Sequence, residues 1–119
     1  MAKILIVDDS RTSRKMLRQI LEDGGHEVLA EAVDGEDGFI KCKELQPELV
    51  TMDITMPKLN GLECLKLIKE KYPDIKVVMI SAAGQKEKVV DAIKHGAADF
   101  IMKPYDDDEV LAIIQKIYA

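Results

Sequence analysis

Leu49-Val50-Thr51-Met52-Asp53 is an apolar run of strand length that ends in a carboxylate, just before the turn residues Met56-Pro57 and Asn60-Gly61. Ile4-Leu5-Ile6-Val7 repeats the pattern and ends in Asp8-Asp9. Two segments that read as buried strands therefore finish in acid. Neighbouring carboxylates in a low-dielectric site repel one another unless a cation, a proton or a ligand offsets them, so the repetition predicts a small anionic pocket.

Beyond these two runs, short apolar segments alternate with stretches of 3.6-residue period, the signature of βα units and a parallel sheet. Strands are expected at residues 3–7, 28–32, 49–52, 77–81 and 100–102, with a helix after each. The first helix carries Met16, Leu17, Ile20 and Leu21 on one face and ends at Gly24-Gly25. Asp34-Gly35 turns into a second helix with Phe39, Cys42 and Leu45 facing inward. The third, over about 62–72, presents Leu62, Leu65 and Ile68 and breaks at Pro73. The fourth, over about 86–95, stops at Gly96. The last opens in Asp106-Asp107-Asp108-Glu109, acid that meets the positive end of the helix dipole.

Composition narrows the classes. At 119 residues the chain fits one domain, 1–119, with a single full core, and 47% hydrophobic with 33% charged residues is ordinary for a soluble protein. The longest apolar runs are far shorter than a spanning helix, and Met1-Ala2-Lys3 leads directly into one of them, so a cytoplasmic protein without membrane attachment is expected. A net charge of −5 disfavours nucleic acid. Cys42 and Cys64 lack C-x-x-C spacing and read as buried thiols in a reducing compartment. His26 and His95 lack ligand spacing. A monomer is the expected state.

Right-handed crossovers put all strand C-terminal ends on one edge of a parallel sheet, where ligands of such folds bind. Asp8, Asp9, Asp53, Ser81 and Lys103 all stand at predicted strand ends and should converge there. Three carboxylates, a hydroxyl and an ammonium suit a divalent cation held together with a phosphoryl group. Mg²⁺ takes oxygen ligands, here from Asp9 and Asp53, with Asp8 acting directly or through water. The phosphoryl oxygens need fixed positive charge and donors, which Lys103 and Ser81 supply. An aspartyl side chain is itself a competent nucleophile that forms an acyl phosphate.

Val7-Asp8-Asp9-Ser10, Met52-Asp53-Ile54-Thr55-Met56-Pro57 with Asn60-Gly61, Ile80-Ser81-Ala82 and Lys103-Pro104 together resemble the signature of CheY-like receiver domains of bacterial two-component response regulators, over essentially the whole chain. The resemblance implies an α/β, flavodoxin-like (βα)5 fold: a doubly wound five-stranded parallel sheet of order 2-1-3-4-5. It implies that Asp53 accepts phosphate from a sensor histidine kinase, that Asp8 and Asp9 help bind Mg²⁺, and that Thr55 adds a backbone carbonyl ligand. It further implies a cis Lys103-Pro104 bond, a switch role for Ser81, and for Phe100 an aromatic that moves between exposed and buried positions. The basic residues Arg11, Arg14, Lys15 and Arg18 of the first helix read as a solvated face, for which the resemblance suggests a role as docking surface for the phosphodonor.

The chain ends at Ala119, soon after the fifth helix, so output is expected through binding rather than through an attached DNA-binding or enzymatic domain. Thr51 to Pro57 and Ser81-Ala82-Ala83-Gly84-Gln85 look most like chemotaxis regulators, whose partner is the flagellar switch. A stand-alone phosphorelay receiver that passes phosphate to a histidine phosphotransfer protein is the alternative. Two further classes fit less well. An FMN-binding flavodoxin needs a phosphate cradle where Asp8-Asp9-Ser10 stands, and a phosphatase with an aspartyl-phosphate intermediate of the haloacid dehalogenase type needs a second Asp where Thr55 stands.

Overall fold

The protein is described by a computed structural model covering residues 1–119. Five βα units follow one another: β1 (Lys3–Val7), α1 (Arg11–Asp23), β2 (Glu27–Ala32), α2 (Gly35–Leu45), β3 (Leu49–Asp53), α3 (Gly61–Lys71), β4 (Lys76–Ser81), α4 (Lys86–Lys94), β5 (Asp99–Met102) and α5 (Asp107–Ile117). All strand pairs are parallel and the sheet order is β2-β1-β3-β4-β5. Each crossover helix returns the chain to the same edge, so every strand ends on one rim.

The two-residue alternation of the central strands builds a core on each face of the sheet. Leu5, Val7, Val50, Met52, Val77 and Met79 pack with Cys42, Cys64, Leu65, Ile68 and Val89 of α2, α3 and α4. Ile4, Ile6, Leu49, Val78 and Ile80 pack with Leu17, Ile20 and Leu21 of α1 and with Val110 and Ile114 of α5. Because β1, β3 and β4 are covered on both faces, they read as continuous apolar runs rather than as alternating ones.

Two expected inward residues lie elsewhere. Met16 is 58% exposed, one step round α1 from the stripe of Leu17, Ile20 and Leu21, and lines a surface hollow with Ser13, Lys103, Pro104 and Tyr105. Leu45 is the last residue of α2 and is exposed. β3 extends to Asp53, which stands opposite Ile80 of β4 and is held in the sheet itself.

The rim is organised by helix caps. Ser10, Asp34, Asn60 and Asp106 each accept a hydrogen bond from the backbone N–H three residues on, and Glu63 completes a capping box with Asn60. α4 differs: Gln85 stands at its N-cap and makes no capping bond. Gly61 admits the close approach of α3 to the end of β3, since a Cβ there would collide with the Asp53 carbonyl oxygen.

Candidate phosphoacceptor site

Asp8, Asp9 and Asp53 meet at the ends of β1 and β3, where carboxylate oxygens of all three lie within 4.8 Å of one another. Asp8 is buried, Asp53 half-buried and Asp9 exposed. Local structure fixes Asp8 from both sides. The Ser10 N–H donates to its Oδ1 at 2.8 Å, and an Arg14 guanidinium N–H donates to its backbone carbonyl at 2.7 Å. Ser10 thus orients the carboxylate with its amide while its hydroxyl starts α1.

Lys103 and Ser81 come to the same rim from β5 and β4. The Lys103 N–H donates to the Ser81 carbonyl at 2.8 Å, and the Lys103 Nζ reaches the Asp8 Oδ2 at 3.9 Å. The Lys103-Pro104 peptide is cis. The Ser81 hydroxyl is buried and has no hydrogen-bond partner, as is also true of Thr51 deeper in β3. Burying a hydroxyl unpaired is unfavourable, and Ser81 stands at the end of β4, where such a hydroxyl is free to donate to a ligand.

Electrostatics gives the same picture of an unbalanced site. Burial, and then the charge of Asp8, raises the Asp53 pKa from an ordinary 3.8 to about 6; Lys103 offsets only part of this. The Asp8 pKa is also raised, chiefly by burial, against the pull of the Ser10 amide and Lys103. Three hard oxygen donors without thiolate or imidazole form a donor set for a divalent cation of the Mg²⁺ kind, and the surplus negative charge is what such an ion would neutralise.

Thr55, two residues past Asp53, is exposed, and its hydroxyl accepts a 2.6 Å hydrogen bond from the Gln85 side-chain amide. Phe100 does not enter the acidic cluster. It lies on β5, 36% exposed, in an apolar groove of about 440 Å³ with Val89, Val90, Ile93 and Met102 between Lys86 and Lys94. The basic face expected on α1 is partly spent. Arg14 and Arg18 donate to the two carboxylate oxygens of Glu31 on β2, at 3.1 and 2.7 Å.

Two residues near the site were passed over in the sequence. The half-buried Tyr105 phenol has its pKa raised by burial and then by the charges of Asp8 and Asp53, so it shares their field. Gln85 carries no role legible from its own sequence position; Gly84 just before it, at φ +86, is the signal that the chain folds back there.

Residues 4–115 match the family profile described as the response regulator receiver domain. The chain belongs to that family. The receiver is 50% identical to the chemotaxis protein CheY of Listeria monocytogenes, over 98% of each chain. It is 49% identical to CheY of Bacillus subtilis over 96% of this chain and 95% of that one. Among solved structures, CheY of Borrelia burgdorferi in a complex with CheX, BeF3 and Mg²⁺ superimposes with a TM-score of 0.94 at 40% identity, covering 98% of this chain and 89% of that one. NtrX from Brucella abortus also matches, at 38% identity and a TM-score of 0.91, with this chain spanning 26% of that longer protein. The receiver is therefore a phosphorylation-activated response regulator, and these relatives favour neither the phosphorelay nor the phosphatase alternative. None of its helices is long and apolar enough to cross a membrane.

Proposed function

We propose that Asp53 is the phosphoacceptor of a chemotaxis response regulator, taking a phosphoryl group from a sensor histidine kinase in a Mg²⁺-dependent reaction. The observation that carries this is the meeting of Asp8, Asp9 and Asp53 beside a buried, unpartnered Ser81 hydroxyl. With a pKa of about 6, Asp53 is mostly ionised at neutral pH, as a nucleophile must be. One Asp53 oxygen attacks phosphorus, the bond from phosphorus to the donor imidazole breaks, and the imidazole leaves with the electron pair.

Asp8, Asp9, Asp53 and the Thr55 backbone carbonyl would hold Mg²⁺, which supplies positive charge against the phosphoryl oxygens when bound. Lys103 exchanges its long contact with Asp8 for the phosphoryl group, and Ser81 gains the acceptor it lacks. Ser81 then shifts toward the site and Phe100 turns inward. That movement reshapes the α4-β5-α5 surface, where Val90, Ile93, Phe100 and Met102 are exposed, for a protein partner. Kinship with the CheY proteins supports the flagellar switch as that partner and the cytoplasm as its place.

Acetyl phosphate labelling, read by intact mass and peptide mapping, tests the acceptor. One phosphoryl group on the peptide containing Asp53, lost without Mg²⁺ and lost in Asp53→Asn, is the expected result. Label of equal extent in the variant overturns the assignment.

A further inference from the structure

Gln85 makes the only side-chain to side-chain hydrogen bond between the β3-α3 and β4-α4 loops. Its Nε2 donates to the Thr55 hydroxyl at 2.6 Å while its Oε1 accepts from the Ala82 N–H at 2.7 Å. Thr55 follows Asp53 by two positions and Ala82 follows Ser81 directly, so this one half-buried amide spans the two loops that frame the acceptor. The return is made possible by Gly84, whose φ of +86 turns the chain so that the side chain at 85 reaches back three residues. The arrangement leaves α4 without a capping bond, because the side chain at its N-cap is engaged elsewhere.

Ala82 is thus the next backbone donor at the rim after the unpartnered Ser81 hydroxyl, and a group with three acceptor oxygens draws on such donors. In the unphosphorylated protein that N–H is already occupied by an amide oxygen.

We propose that Gln85 is a positioning residue that latches the site. Its amide competes with the phosphoryl oxygens for the Ala82 N–H, ties that loop to Thr55, and so sets how tightly the site takes up a phosphoryl group. The proposal rests on Asp53 as acceptor and adds to it a residue that holds the loops apart from their phosphoryl-bound positions. Releasing the latch frees the Ala82 donor and unties its loop from Thr55.

Titration calorimetry with beryllofluoride, a phosphoryl mimic, in the presence of Mg²⁺ tests it on the full chain. Gln85→Ala binds the mimic about three- to tenfold more tightly than wild type, the worth of one partly exposed hydrogen-bonded bridge. Its affinity for Mg²⁺ alone is unchanged, since Gln85 touches none of the carboxylates; a general loosening of the fold would not separate the two readouts. Thr55→Val shifts the mimic affinity in the same direction. The double variant gains no more than the stronger single one, because both cut the same bridge. Wild type that fails to bind the mimic would sink the acceptor reading itself. Wild type that binds, with Gln85→Ala binding equally or more weakly, or with the two substitutions additive, overturns the latch alone.

Discussion

Asp53→Asn should make the protein more stable at neutral pH in the absence of Mg²⁺. The ionised Asp53 is disfavoured by burial and by Asp8, which together raise its pKa from 3.8 to about 6. At ~1.4 kcal/mol for each tenfold change in the proton equilibrium, that difference corresponds to about 3 kcal/mol. The side chain is only half-buried, and solvent screening reduces this to roughly 1–2 kcal/mol. Asparagine keeps the shape and carries no charge, so it recovers most of the penalty, a rise of roughly 4–8 °C in Tm for a chain of this length. The pH window follows from the raised pKa. Below 3.8 the folded and unfolded wild type both hold the proton and the variant has no advantage. Between 3.8 and about 6 the folded state keeps a proton that the unfolded chain has lost, so wild-type stability falls as pH rises and the gap opens. Above 6 it is constant. Urea denaturation at pH 4 and pH 7, with and without Mg²⁺, measures it, and added Mg²⁺ should narrow the gap by binding the folded wild type. A variant no more stable than wild type at pH 7, or equally favoured at pH 4, would refute the claim that charge repulsion is stored at this rim.

Gly61→Ala should destabilise the fold by roughly 1–3 kcal/mol and weaken Mg²⁺ binding, because the new methyl group meets the Asp53 carbonyl and pushes α3 from the end of β3; urea midpoints and calorimetry check both effects. Thr51→Val should stabilise by about 1 kcal/mol, since it replaces a buried hydroxyl without a partner by a methyl group of the same shape, and an unchanged urea midpoint would contradict that. Glu31→Gln should cost about 1 kcal/mol at pH 7 through weakened bonds to Arg14 and Arg18. Burial pushes the Glu31 carboxyl up, but the hydrogen bonds from Arg18 and Arg14 outweigh it and hold the pKa below 4.5. The Glu31 contribution is therefore present above that pH and lost as pH falls through the lowered folded value, so thermal melts of the two proteins should converge as the pH is taken below the ordinary carboxylate range.

The order of elements was legible because the central strands β1, β3 and β4 are nearly unbroken apolar or β-branched runs and each helix has its own stripe. The convergence of Asp8, Asp9, Asp53, Ser81 and Lys103 followed from topology alone, since a parallel sheet leaves no other edge for its strand ends. What stayed hidden depends on partners distant in sequence. Arg14 and Arg18 looked like a free basic face until Glu31, on the neighbouring strand β2, took both guanidinium groups. Gln85 bonds Thr55 across thirty residues, and no local pattern at either position announces the other. Met16 was misplaced for a simpler reason: one residue is 100° on a helix, enough to carry a side chain from the core to the hollow beside Lys103.

The size of the proposed switch can be bounded from Phe100. About a third of the side chain is exposed, on the order of 70 Å² for a ring that buries about 200 Å² in full. Turning it inward would gain roughly 2 kcal/mol at ~25 cal/mol per Å², a factor of about thirty in favour of the turned state. An outward Phe100 in the unphosphorylated protein therefore has to be held by opposing terms of similar size. On the proposed reading two residues would supply them: Ser81, if it blocks the path until a phosphoryl group draws it away, and Gln85, whose bridge ties down the loop that follows Ser81. If the proposed switch holds and the opposing terms are this close in size, the turned state would be a populated minority, and a ligand or substitution worth one hydrogen bond would move the balance several-fold. The same arithmetic shows how a half-buried amide such as Gln85 could matter at this rim.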